Sequence, residues 1–69
     1  MSYQRRKVMK ALSDRGYVVL REGSRHTIVG KPGERGEPVP RHDEINRITM
    51  RRIVKNLGLE WASFEEDIR

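Results

Sequence analysis

A 69-residue chain without cysteine has no disulfide framework and no thiolate metal centre. A chain this short also buries too little surface to enclose a deep catalytic pocket. With hydrophobic residues at 35% and charged residues at 36%, the expected molecule is one domain, residues 1–69, with a thin core and a shallow site suited to an extended polymer. The charge is uneven: through Gly58 there are 14 basic and 6 acidic residues, net +8, and from Leu59 on there are 1 and 4, net −3. A basic body with an acidic tail fits a polyanion held on the body. A solvated, solubilising surface is the plainer reading of the same composition. The start, Met1-Ser2-Tyr3-Gln4, has no apolar run, so neither a signal peptide nor a membrane span is expected, and the expected location is cytoplasmic.

Helix is expected first, from Tyr3 to Arg15, with Val8, Ala11 and Leu12 at helical spacing and Met9 beside them. Its other face, Arg5, Arg6, Lys7 and Lys10, reads as a wet surface or a phosphate contact. Gly16 is placed to end the helix in a left-handed turn. Tyr17 to Arg21 then reads as a central strand and His26 to Gly30 as its hairpin partner, with turn chemistry from Gly23-Ser24, where Gly can take positive φ. Alternation puts His26 and Ile28 on one face and Thr27 and Val29 on the other, without saying which face the helices cover.

Lys31 to Gly36 is a turn by composition, and Glu37 to Val39-Pro40 returns as a third strand, held to the sheet edge by two prolines. Arg41 to Arg47 reads as a polar connection. Thr49 is the expected N-cap of a second helix, with Ile48 stapled onto Ile53. Met50, Ile53, Val54 and Leu57 fall at i, i+3, i+4 and i+7 opposite Arg51, Arg52 and Lys55, and Gly58 closes the helix. Trp61, Phe64 and Ile68 share one face of a short third helix that caps the core.

Several of these residues form an ordered set. Arg21-Glu22-Gly23-Ser24-Arg25-His26-Thr27-Ile28, Pro32, Val39-Pro40-Arg41-His42-Asp43-Glu44-Ile45, Thr49 and Leu57-Gly58-Leu59 resemble the HicA toxin family in content and spacing. The resemblance runs from about Val8 to Leu59. It implies an α+β, double-stranded-RNA-binding-domain-like fold, α-β-β-β-α with a short C-terminal helix. It also implies a small ribonuclease that cleaves messenger RNA and is silenced by a HicB-type antitoxin. Thr27 stands where many members carry a second histidine.

The residues themselves allow that chemistry. RNA carries its own nucleophile, the 2′-hydroxyl. Cleavage needs a base for that proton, an acid for the leaving oxygen and cations for the crowded charge. His26 is the candidate catalytic acid or base, its direction open, with Arg21 and Arg25 as charge stabilisers. Lys31, Arg41, His42, Arg51 and Arg52 are candidate RNA contacts. His42, written beside two carboxylates, is either a partner acid or a loop residue that shapes the turn or meets the antitoxin. The two histidines stand too far apart in sequence to make a local ligand pair and match no familiar spacing, so no metal or other cofactor is expected. Gly30 to Gly36 lacks the Gly-Lys-Ser/Thr ending of a nucleotide loop. A non-catalytic RNA-binding module of the same fold is the alternative reading.

Overall fold

The computed structural model describes all of residues 1–69 as an α+β molecule. Its elements are β1 (Ser2–Gln4), α1 (Arg5–Asp14), β2 (Val18–Glu22), β3 (His26–Gly30), β4 (Glu37–Pro40), β5 (Glu44–Asn46), α2 (Arg47–Asn56) and α3 (Trp61–Ile68). The expected helix–three strands–helix order is present, with its closing helix. Strands β2, β3 and β4 form an antiparallel sheet in that order. The β3 strand is therefore the central one, and β2, expected at the centre, lies at an edge with Val18 and Val19 about half exposed. The proline-bearing β4 is the other edge, as its missing donors require.

Two short strands lie outside the expected scheme. Tyr3 is not helical but pairs with Ile45, joining β1 and β5 in a two-stranded antiparallel ladder. Both side chains are buried, and Tyr3 packs edge-on against Trp61. Burial first, and the Glu65 carboxylate that its hydroxyl reaches at 2.7 Å second, hold the Tyr3 phenol above its ordinary pKa.

The second helix also starts earlier than Thr49. Asn46 is its N-cap, its side chain accepting the Thr49 amide at 2.8 Å, and Ile48 projects into solvent rather than stapling onto Ile53. Gly16 and Gly58 do end their helices, both with positive φ. Gly36 combines positive φ with a close approach: a Cβ there would lie 2.6 Å from Ile28 Cγ2, so only glycine lets the turn fold back onto the sheet.

The helices cover the Thr27–Val29 face. Val8, Ala11 and Leu12 of α1, Met50, Ile53 and Val54 of α2, and Phe64 and Ile68 of α3 converge with Val29, Val39 and Ile45 into one core. The opposite face carries Ile28 and Arg21, register partners beside a bulge at Leu20, and leads to His26 at the turn end of the β2–β3 hairpin. No helix is long and apolar enough to cross a membrane.

Candidate functional site

The β2–β3 turn is built from backbone contacts. Gly23 donates its amide to the His26 carbonyl at 2.8 Å. Gly23 does not have positive φ; its missing Cβ matters because that atom would stand 3.1 Å from the same carbonyl. The β3–β4 ladder sets His26 opposite Pro40, and the Arg41 amide donates to the Arg25 carbonyl at 3.1 Å. These pairings bring two segments distant in sequence to one end of the sheet. There Ser24, Arg25, His26, Pro40, Arg41 and His42 line a shallow surface hollow of about 470 Å³.

Arg25, His26, Arg41 and His42 thus come together, although the histidines are sixteen residues apart. Arg21 lies on the same sheet face as Ile28, one diagonal step from His26 and outside the hollow. Lys31 is at the far end of β3, roughly 17 Å along the strand by its rise per residue, with its ammonium 5.1 Å from the Tyr17 ring. Arg51 lies over the Trp61 ring at 5.1 Å and Arg52 approaches Glu37 at 3.9 Å, both on α2. No carboxylate lines the hollow. The two residues that follow His42 in sequence, Asp43 and Glu44, line a separate hollow with Gln4, Arg5 and Arg6. Arg25 takes part in none of the chain's ion pairs. Such a site offers a phosphate one unpaired guanidinium, one positioned guanidinium and two imidazoles.

Three residues outside the expected site set, Arg5, Glu22 and Thr27, hold this arrangement from beneath. The buried Thr27 hydroxyl donates to Glu22 Oε1 at 2.8 Å and accepts from Arg5 Nη2 at 2.5 Å. Arg5 Nε also donates to the Pro40 carbonyl at 3.0 Å. Glu22 Oε1 in turn accepts from Arg41 Nη1 at 2.8 Å, and the same nitrogen donates to the Gly23 carbonyl at 3.1 Å. Arg5 is therefore directed under the hairpin rather than into solvent. The one sequence signal for this relay was a carboxylate at the mouth of a turn otherwise rich in cations.

The two ends of the relay should differ in energy. Thr27→Val keeps the shape but strips a buried charge-assisted pair of its partner, which costs about 1–3 kcal/mol. Glu22 and Arg41 are half exposed, where ion pairs contribute under about 1 kcal/mol. Melting curves should therefore show a clear drop for Thr27→Val and a much smaller one for Arg41→Gln. Equal drops would mean that Arg41 is a structural residue.

A family model described as the HicA toxin of bacterial toxin–antitoxin systems matches residues 5–59 of the chain. The match spans the hollow and the relay beneath it and ends before α3. No curated protein and no solved structure matches the chain.

Proposed function

The chain belongs to the HicA toxin family, the toxin side of bacterial toxin–antitoxin systems, and from that premise we propose that it is a metal-independent endoribonuclease cleaving messenger RNA, held inactive by a HicB-type antitoxin. The observation that carries this reading is the carboxylate-free hollow joining an exposed histidine to Arg25 and Arg41. A scissile phosphate seated there meets two guanidiniums that oppose its growing charge, and His26 moves a proton at the reacting oxygens. The RNA supplies the nucleophile, so no metal is needed to generate one. Arg21, Lys31, Arg51 and Arg52 extend the cationic track away from the hollow as backbone contacts. The hollow has no lid, so control comes from outside. An antitoxin presenting carboxylates to Arg25 and Arg41 would occupy the phosphate position, and complementary charge would speed its association.

One assay tests the whole reading. The purified protein should cleave a labelled transcript in excess EDTA and stop when a co-expressed acidic antitoxin is bound. RNA affinity should fall by about 0.7 log unit per log of salt for each phosphate contacted on a single strand. Salt-dependent binding without cleavage would leave only an RNA-binding module. Cleavage abolished by EDTA would refute the metal-free mechanism.

A further inference from the structure

From the way the backbone presents it, we infer that His42 is the second proton-transfer group of this site, working opposite His26. The inference rests on the ribonuclease reading above and adds a partner that a single histidine lacks. His42 is exposed and lies between strands, yet its backbone is pinned on both sides. The preceding residue, Arg41, donates its amide to Arg25, and the following residue, Asp43, accepts the Arg5 amide at 2.8 Å. The first bond ties His42 to the His26 turn and the second ties it to the start of α1. The β1–β5 ladder then continues directly from Glu44, its register partner being Gln4.

Its chemical setting points the same way. Asp43 and Glu44 line the other hollow, and Glu44 accepts a hydrogen bond from Ser2, so no carboxylate lines the hollow that holds His42. His42 instead shares that hollow with His26, Arg25 and Arg41. A phosphate held by the two arginines would have an imidazole available to each of the two oxygens that exchange protons. The 2′-oxygen bonds to phosphorus as the bond from phosphorus to O5′ breaks. The 2′-hydroxyl proton passes to one imidazole, and the other, entering as imidazolium, gives its proton to O5′. The products are a 2′,3′-cyclic phosphate and a 5′-hydroxyl end. Each histidine finishes in the form in which the other began.

The test compares wild type, His26→Ala and His42→Ala on one RNA and on the same RNA with sulfur replacing the 5′-oxygen at a linkage the wild type cuts. Sulfur leaves as thiolate and needs no acid. His42→Ala should lower kcat on the oxygen substrate by about 10²–10⁴-fold with RNA affinity and melting temperature unchanged. Loss of the acid should be rescued by sulfur and loss of the base should not, so one of the two variants recovers and the other stays slow. A His42→Ala protein that cuts at the wild-type rate, loses affinity in step with rate, or leaves both variants unrescued overturns the inference. A normal His42→Ala beside an inactive His26→Ala overturns only the role of His42. A wild type that cuts no RNA removes the ribonuclease reading with it.

Discussion

His26→Ala should abolish RNA cleavage and toxicity while leaving the fold, RNA binding and antitoxin binding in place. The side chain is exposed at the first residue of β3, beside the β2–β3 turn, so truncating it removes little buried surface and should change stability by no more than about 0.5 kcal/mol. The backbone contacts it makes survive in alanine: its carbonyl still accepts the Gly23 amide, and its position opposite Pro40 stays in register. Attraction for phosphate rests on guanidiniums, of which Arg25 and Arg41 line the hollow, and these remain. What disappears, on the proposed mechanism, is a positioned acid or base, worth about 10²–10⁴-fold in rate. Cleavage of a labelled transcript, RNA titration and thermal melting on the same two preparations separate these quantities. Activity within a few-fold of wild type would remove His26 from the chemistry.

The same residue shows how far the sequence could be read. His26 and Arg25 were legible because a tight turn is a local feature: two strands and a Gly-Ser pair place them without any distant information. The helices were legible for a similar reason, since Val8, Ala11 and Leu12 or Met50, Ile53 and Val54 declare a 3.6-residue period within a few turns. Strand centrality was not, because it depends on which segments pair across the chain. Tyr17 to Arg21 had the composition of a central strand, yet the second partner went to β3. The β1–β5 ladder joins segments 42 residues apart with three residues on each side, too few to show alternation. That ladder and the β3–β4 register decide where His42 lies, so its meeting with His26 was hidden along with them. The relay from Arg5 through Thr27 and Glu22 to Arg41 draws on three separate elements, and its one local signal was the Glu22 carboxylate beside the turn.

The acidic end of the chain also acquires a role in the fold that charge alone did not suggest. Glu65 approaches Arg47 at 3.7 Å and Asp67 pairs with Arg15 at 2.9 Å, so part of the tail's negative charge is spent against the basic body on the α1–α2 side. Arg47 and Arg51 both lie over the Trp61 ring, which makes the indole a support for α2 cations. The hollow with His26 has no such neutralisation, apart from Glu22 on Arg41. Positive charge is thus offset where the tail packs and left available at the open end of the sheet.

Phe64→Ala should remove a large part of the protein's stability, although Phe64 lies beyond the residues matched by the family model. The ring is 1% exposed and is among the largest fully buried side chains. It packs into the core with Leu12 and Ile53, and the Arg15 guanidinium covers it at 4.7 Å. Truncating such a ring costs about 3–5 kcal/mol, because the cavity left behind collapses only in part. A chain of this length has roughly 3–10 kcal/mol of stability in total at typical per-residue values. One side chain therefore carries a loss that is a large fraction of that margin and equals it only at the lower end. Trp61→Ala offers the contrast: the indole is only partly buried, so its loss should lower the melting temperature and still leave a folded protein. Urea titration of both variants at 25 °C, followed by circular dichroism, measures the two losses on one scale. A Phe64→Ala protein with a midpoint near that of wild type would mean that α3 is dispensable, and the core would then have to be complete by Leu59.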